Sequence, residues 1–528
     1  MKTQLSFIGG LCLLLCATAQ AQSGALDPSF NSNGFVVQPI GRDVVQKILV
    51  QDDQKILSIG MSWDGTFTAH AHVFRYNPDG SPDTDFGTNG MFTHTLDNEA
   101  LLYSALITDA GKILLVGSTT DYQTYRLMLI QINADGTLDS SFGTNGVALQ
   151  SVSMVGPNAE DMAYDVTLDD AGNILVCGSS YDANYVRRPV VVRFTSDGVL
   201  DSTFGVDGVA TIPVMAVGAS SFQGLLVQPD GKILATGYFG QTEFWYLLLL
   251  VRFNSDGSLD STFSTDGIIK HNHGNVDDEG EDLKLNADGS ILVAGMTVTA
   301  TYNYSALLMK FTPDGEVDLT FGNVGAVEED LDEFDYAAHL EVQSDGRIIM
   351  AGSSGVGPPS SFDMAVWKYM PDGTPDNSFG SNGLAYHVIP DYSTMIYALA
   401  MQADGKILIG GQAATPNNDR YFFTARLEND VISGIASVPS PTEALAFPNP
   451  ATAGSLVTLR MAEPIGSDAR IELYTADGRD AGSYSAHEFD RAAGGVSLQL
   501  PDGLNSGVYQ VVLSQTGTRS TSTMLVIE

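Results

Sequence analysis

Acidic and imidazole side chains cluster in the segment KHNHGNVDDEGED (270–282), which we interpret as a loop. Its ionisable residues are His271, His273, Asp277, Asp278, Glu279, Glu281 and Asp282. Imidazole nitrogens and carboxylate oxygens bind divalent cations, and carboxylates also attract cationic ligands. His271, His273, Asp277 and Asp278 are therefore candidate metal ligands, and Ca²⁺ is the only cofactor that the sequence suggests. The alternative is solvated charge on an acidic protein, because a His-x-His pair without a third ligand is a weak signal.

Aromatic residues are frequent in a second set of segments, each following a strand of the ILxxG type. The candidate ligand-binding residues in these segments are Trp63, Tyr238, Trp245 and Tyr302. Aromatic rings on a surface formed by loops suit the recognition of sugars or of other proteins. Packing between neighbouring repeats is the alternative, because many of these residues stand at the start of the next strand.

A third candidate is the aspartate of a nine-residue motif such as LDSSFGTNG (138–146). The motif occurs seven times, and its aspartates are Asp27, Asp83, Asp139, Asp201, Asp260, Asp318 and Asp376. Oxygen-rich Asp/Gly segments suit Ca²⁺. We favour a structural interpretation, in which aspartates close turns and cap backbone N–H groups while the motif phenylalanine fills the space between repeats. A joint is needed in every repeat, whereas a binding site seldom is.

Sequence signatures of common enzymes are missing from the chain. It has no GxSxG, P-loop, HExxH or CxxC motif. Propellers nevertheless host lyases and hydrolases, so an enzyme with its site in a central channel stays open as an alternative.

The repeat determines how these residues are positioned. Successive motif phenylalanines are 56, 56, 62, 59, 58 and 58 residues apart, and a DGKIL-type segment recurs in phase with them. Each unit contains four short apolar stretches separated by Gly, Asn and Asp, which is typical of strands and not of helices. Four-stranded repeats of this kind predict an all-β fold with a seven-bladed β-propeller at residues 22–430. The N-terminal LDPSFNSNGFVV (26–37) should complete the last blade, whose own sequence ends without the motif.

Composition limits the partners. The chain has 63 acidic and 25 basic residues and a net charge of −38, which argues against nucleic acid as a partner because phosphates need Lys and Arg. Three cysteines are present, and only Cys177 lies beyond the N-terminal leader. It stands in an apolar run, so we expect a buried thiol and no internal disulfide.

Residues 1–21 have the pattern of a signal peptide. Lys2 precedes the apolar LSFIGGLCLLLCA (5–17), and AQA (19–21) supplies the small residues of a cleavage site. A lipoprotein anchor at Cys16 is the alternative. We expect no transmembrane segment after the leader is removed, and we expect export through the periplasm of a Gram-negative bacterium to its outer surface or the medium.

The repeat resembles a known family. The pairing of DGKIL-type segments with LDxSFGxNG-type motifs is similar to the delta-60 repeat of exported bacterial proteins, and the resemblance covers about residues 26–430. It implies a seven-bladed propeller and no particular activity.

Composition changes after Asp430, where residues 431–445 form a Ser/Pro/Ala-rich linker. Residues 446–528 then show alternating short strands, as in a small Ig-like β-sandwich. The marks FPNP (447–450), LYTADGR (473–479) and GVYQVVL (507–513) resemble the type A C-terminal sorting domain of the type IX secretion system. This resemblance implies that the secretion machinery is a partner and that the domain is cleaved after transport. A permanent Ig-like adhesion module is the alternative.

The sequence thus predicts an exported propeller that acts as a binding, adhesion or scaffold protein towards an extracellular glycan or protein. The alternative function is a secreted hydrolase or lyase of polysaccharide or peptide. Carboxylates that converge in the channel from different blades would favour the enzyme, and a large aromatic patch on one face would favour the binder.

Overall fold

The computed structural model describes residues 22–429, with gaps at 67, 97–98, 156–158, 214–217, 243–244, 274–275, 300, 333 and 356–360, and nine short segments between 444 and 527. The described residues form strands and turns and contain no helix. Among them no helix is long and apolar enough to cross a membrane.

Seven antiparallel four-stranded units follow one another along the chain, which confirms the predicted all-β propeller. Six of them are continuous in sequence: β2–β5 (Arg42–Val50, Ile56–Trp63, Ala69–Tyr76, Met91–His94), β6–β9 (Glu99–Ile107, Ile113–Thr120, Tyr125–Ile132, Val147–Gln150), β10–β13 (Met162–Leu168, Ile174–Tyr181, Arg187–Phe194, Val209–Thr211), β14–β17 (Ser220–Val227, Ile233–Gly240, Tyr246–Phe253, Ile268–His271), β18–β21 (Asp277–Leu285, Ile291–Val298, Tyr304–Phe311, Ala326–Glu329) and β22–β25 (Phe334–Val342, Ile348–Gly355, Phe362–Tyr369, Leu384–His387). The second and third strands of each blade are apolar on both faces because each blade is covered by two neighbours. Cys177 lies in such a strand and is buried, as expected.

The seventh blade joins the two ends of the propeller. It contains β26 (Ser393–Met401), β27 (Ile407–Ala414) and β28 (Arg420–Leu427), and its outer strand is β1 (Phe35–Gln38). Phe35 pairs with Ala425 in this antiparallel ladder. Nearby, Asp27 Oδ2 accepts hydrogen bonds of 2.6 Å from Lys406 Nζ and from Arg426 Nε. The N-terminal motif therefore closes the ring, and no free sheet edge is left at the junction.

The motif aspartates are structural brackets. Asp135 accepts a 2.9 Å hydrogen bond from the Thr137 N–H and so forms an Asx turn. Asp139 Oδ1 accepts one of 3.1 Å from the Ser141 N–H, while its Oδ2 binds Lys112 Nζ at 2.5 Å. Each of the seven motif aspartates has a Lys or Arg partner of this kind. Carboxylates that are occupied in this way are not open for metal binding.

The motif phenylalanine fills the space between blades, as predicted. Phe142 is buried, and its ring lies so close to Gly198 of the next blade that a Cβ there would be 2.6 Å away. Gly198 also has a φ of +81°, which favours glycine. The adjacent Gly143 N–H donates a 2.9 Å hydrogen bond to the carbonyl of Asp197. Each blade is thus fastened to the next by a ring, a glycine and a backbone hydrogen bond.

Antiparallel order places the connections at two ends of the ring. The nine-residue motifs and the DGK-type turns lie at one end, which we call the motif face. The turns between second and third strands and the blade-to-blade connections lie at the other, which we call the loop face. Both sets of variable segments singled out in the sequence therefore share the loop face.

The C-terminal strands form two further four-stranded sheets, in the orders β29-β30-β34-β33 and β32-β31-β35-β36. Their bounds are Ala444–Phe447, Leu456–Met461, Arg470–Thr475, Asp480–Ser485, Asp490–Ala492, Gly495–Gln499, Gly507–Ser514 and Thr521–Ile527 for β29 to β36. The predicted signal peptide and residues 431–443 of the predicted linker lie outside the described residues.

Candidate functional site in the central channel

Every innermost strand carries a β-bulge at the same place. The pairing register shifts by one residue in β2, β6, β10, β14, β18, β22 and β26, and this leaves one unpaired residue in each blade. These residues, which we call the bulge ring, are Gln46, Tyr103, Tyr164, Gln223, Glu281, Ala338 and Tyr397. Bulges re-aim side chains and are frequent beside active sites.

The bulge ring lines a cavity of about 290 Å³ on the channel axis, to which all seven blades contribute. The residue after the bulge adds Ser104, Asp165, Asp282 and His339 to the wall, and Tyr336 lies two positions before Ala338. The cavity is near the lower end of the 300–1,000 Å³ typical of small-ligand sites. It is the one place among the described residues where side chains from every blade meet.

Several acids of the innermost strands have structural roles. Asp278 is fully buried, and its two oxygens accept hydrogen bonds of 2.6 Å from the His273 N–H and from Thr297 Oγ1. Asp282 Oδ2 accepts a 3.1 Å hydrogen bond from the Leu340 N–H in the next blade and lies 3.2 Å from His339 Nδ1. These carboxylates hold the connections and link neighbouring inner strands.

Asp165 makes the same kind of link two blades earlier. Its Oδ2 accepts a 3.1 Å hydrogen bond from the Leu225 N–H, and its Oδ1 accepts one of 2.8 Å from Ser104 Oγ. This carboxylate also spans neighbouring inner strands and is fully used by the fold.

Glu279 and Glu281 differ from these acids. Neither carboxyl has a hydrogen bond or ion pair with any residue in the described part of the chain, although both lie on β18 facing the channel. Burial raises the pKa of Glu279 to about 7, and the charge of Asp277 adds to the effect. Burial likewise raises the pKa of Glu281 to about 8, with further contributions from the charges of Glu279 and Asp282. Two carboxyls that hold protons near neutral pH and lack protein partners are available to a ligand.

The channel mouth on the loop face adds aromatic and cationic groups. Tyr238 packs edge-on against Tyr246 at 5.0 Å between ring centroids. Burial raises the pKa of Tyr238 to about 12, so its hydroxyl stays protonated. Arg187 forms an ion pair with Glu160 and lies 5.9 Å from the centre of the Tyr181 ring. The charges of Arg187 and Glu279 both affect the ionisation of Tyr238, which places blades 3, 4 and 5 around one mouth.

The predicted metal site does not assemble. The segment 270–282 is not a single loop, because β17 ends at His271 and Asp277 begins the innermost strand of the next blade. His271 packs against Phe311, and His273 Nε2 lies 3.7 Å from Glu328. Asp277 accepts a hydrogen bond from the Tyr246 N–H. No group of three or more His, Cys, Asp or Glu residues suited to a metal occurs among the described residues.

The four aromatic candidates separate into two kinds. Trp63 packs in the apolar cluster of Val44 and Leu101, and Tyr238 lies at the channel mouth. Trp245 and Tyr302 stand in loop-face turns, where 54% and 75% of their surfaces are exposed. The structure therefore brings only Tyr238 to the channel.

A larger groove of about 740 Å³ lies on the loop face between the sixth and seventh blades. Phe362, Tyr392 and Arg420 line it, and its wall is mostly apolar. Its polar groups include Ser393 Oγ and Gln412, which are bonded to the Phe362 N–H and to Met395. Size alone favours this groove, but unpartnered acids converge only in the channel, and we take the channel as the candidate site.

The bulge ring has a signal in the sequence that pattern reading missed. Aligned repeats give VVQKI (44–48), LLYSA (101–105), MAYDV (162–166), SFQGL (221–225), EGEDL (279–283), YAAHL (336–340) and MIYAL (395–399). The third position varies among Gln, Tyr, Glu and Ala inside an otherwise apolar frame. A variable polar position in a fixed apolar frame indicates a surface that the fold presents and does not pack.

Comparison with protein families supports the repeat structure. The family described as a domain of unknown function (DUF5122) beta-propeller matches residues 64–86, 111–142, 172–204, 228–263, 286–321, 343–379 and 402–430. The protein is a β-propeller repeat protein. The seven matches fall one to a blade of the propeller, and none covers the C-terminal strands. No curated protein matches the sequence of this propeller.

Solved structures similar to this propeller protein include enzymes. A fungal alcohol oxidase of the AA5 family, in complex with copper, is 12% identical with a TM-score of 0.43, over 93% of this chain and 98% of that one. A PL25 ulvan lyase bound to a saccharide is 11% identical with a TM-score of 0.43, over 75% and 96%. A GH43_1 enzyme from Xanthomonas citri with xylose is 11% identical with a TM-score of 0.28, over 63% and 89%. Scores of this size carry no information on what the propeller binds.

Proposed function

We propose that the protein is an exported binding protein that takes a segment of an extracellular glycan into the propeller channel from the loop face. The observation that carries this proposal is the pair of channel carboxyls, Glu279 and Glu281, without partners in the described structure. Polar groups left unbonded in a wall are costly to a fold and gain most from a ligand. Tyrosines of the bulge ring offer flat faces and hydroxyls, which suit sugar rings.

Export is the second part of the proposal. Residues 1–21 provide a signal peptide, and residues 446–528 provide a sorting domain for the type IX secretion machinery. Support comes from the sequence resemblance and from the eight C-terminal strands, which form two four-stranded sheets. The propeller is then displayed at the outer surface or released.

Substitution of Glu281 by Gln tests the binding site. We expect the glycans bound by the wild-type protein on a glycan array to bind about tenfold more weakly to Glu281→Gln, because one hydrogen bond to a charged group corresponds to about 1.5–3 kcal/mol. Glu316→Gln is the matched control, since Glu316 is an exposed glutamate on the motif face. Unchanged binding by Glu281→Gln would place the site outside the channel, and Trp245→Ala would then test the loop-face aromatics.

Acid–base catalysis is a second candidate function. The specific observation in its favour is Glu279, whose pKa of about 7 is suited to both donating and accepting a proton at neutral pH. Glycosidases and lyases both need such a group beside the scissile bond. Product analysis by mass spectrometry after incubation with each bound polymer tests this candidate. Cleavage by the wild-type protein and not by Glu279→Gln would establish it, and intact polymer with both proteins would leave binding alone.

A further inference from the structure

The channel wall combines two kinds of group that rarely meet in a sugar site without reason. Tyr103, Tyr164 and Tyr397 occupy three of the seven bulge positions, and Tyr103 packs edge-on against Tyr164 at 5.2 Å. Glu281 occupies a fourth position of the same ring. Aromatic faces next to carboxylates are the groups that recognise an ammonium ion, through cation–π attraction and charge pairing.

The other charges around the channel are already compensated. Lys284 Nζ lies 3.3 Å from Glu341 Oε1 and 3.8 Å from Asp282 Oδ2. At the mouth, the Arg187 guanidinium pairs with Glu160, and the carboxylate of Asp277 is used by a backbone N–H.

His339 Nδ1 contacts Asp282, so this imidazole also has a partner. Glu279 and Glu281 are thus left as the ionisable groups of the described channel wall without a partner. A cation entering the channel meets them first, and the net charge of −38 attracts cations to the protein from a distance.

We propose that the glycan carries amino sugars, and that one ammonium group binds in the channel between Glu279, Glu281 and the tyrosines of the bulge ring. This inference rests on the proposed function, because it names the ligand class of the same site. Two consequences distinguish it from binding of a neutral sugar. The amine should be required, and carboxyls that hold protons in the free protein should release them when the ammonium binds.

Isothermal titration calorimetry near neutral pH tests the proposal with a short glucosamine oligomer and its N-acetylated counterpart of equal length. We expect the free amine to bind at least about tenfold more tightly, since a charge-assisted bond is about twice as strong as a neutral one. Titrations in two buffers with different heats of ionisation should show net proton release. Glu281→Gln should weaken amine binding about tenfold and reduce the proton release, whereas Glu316→Gln should change neither.

Three outcomes would overturn the inference in different ways. Equal affinity for the two oligomers would exclude the amine but keep a glycan site in the channel. Amine binding without proton release, and unaffected by Glu281→Gln, would mean attraction to the acidic outer surface. Absence of binding by both oligomers, together with a blank glycan array, would reject the proposed function itself. Glu279→Gln provides a second channel variant if Glu281→Gln does not fold, and thermal unfolding verifies the fold of each.

Discussion

Deletion of residues 24–38 is expected to lower the free energy of unfolding of the propeller by about 6 kcal/mol or more. The deletion removes β1 from the ladder with β28. It also removes Phe30, which is fully buried between the last blade and the first, and loss of such a ring costs about 3–5 kcal/mol. Finally it leaves Lys406 and Arg426 without Asp27, and breaking a buried ion pair costs about 3–5 kcal/mol.

Urea unfolding followed by tryptophan fluorescence measures this effect. A synthetic peptide of residues 22–38 added to the shortened protein should restore part of the stability, because the peptide can pair with β28. Phe30→Ala and Phe142→Ala form a matched pair of controls and should each cost about 3–5 kcal/mol, since both rings fill the same joint. An unchanged urea midpoint after the deletion would show that the ring does not depend on its N-terminal strand.

The second large effect is a loss of stability as pH rises. Glu279 and Glu281 have pKa values of about 7 and about 8 in the folded protein, against an ordinary value of 4.5. Below pH 4.5 both states hold the protons, so these groups impose no penalty. Between pH 4.5 and about 8 the unfolded chain releases protons that the folded protein retains, and stability therefore falls with rising pH.

The size of this loss is on the order of 2–4 kcal/mol, because one pKa unit corresponds to about 1.4 kcal/mol and water in the channel screens part of it. The motif aspartates act in the opposite sense. The pKa of Asp376 is about 2 in the folded protein because its bonds to Ser378 and Arg347 outweigh the effect of burial, so its contribution is lost as pH falls below about 4. Stability should therefore be greatest near pH 5.

Urea unfolding at about pH 5 and about pH 9 measures the effect in the wild-type protein and in Glu279→Gln/Glu281→Gln. The wild-type protein should lose stability over this range, and the double variant should lose much less. Glu316→Gln should follow the wild type, because Glu316 is exposed. Parallel curves for the wild type and the double variant would mean that the two channel carboxyls are ionised in the folded protein.

The propeller fold was predictable because the repeat writes its joints into the sequence. The spacing of Phe30, Phe86 and their equivalents gave the number of blades, and the unmatched motif at 26–34 predicted how the ring closes. The role of Asp139 as a bracket also followed from its sevenfold recurrence, since each blade boundary needs the same turn. These features are local in sequence, and pattern reading detects local features well.

The channel was not predictable by the same means. Glu279 and Glu281 were noticed as part of an acidic loop, but a break between β17 and β18 lies inside that segment. Which face of β18 meets the axis depends on a bulge at Glu281, and a bulge reverses the alternation on which a strand pattern relies. Convergence of one residue from each blade is a property of ring closure, which no single segment contains.

The most direct test of the channel as the functional site is the titration of its carboxyls. Carbon-13 labelling of glutamate side chains lets NMR follow each carboxyl with pH in the wild-type protein and in Glu281→Gln. We predict a glutamate signal that titrates near pH 8, disappears in Glu281→Gln and moves to lower pH when ligand is added. A spectrum in which every glutamate titrates near 4.5 would contradict a channel held in the protonated state and the ligand site built on it.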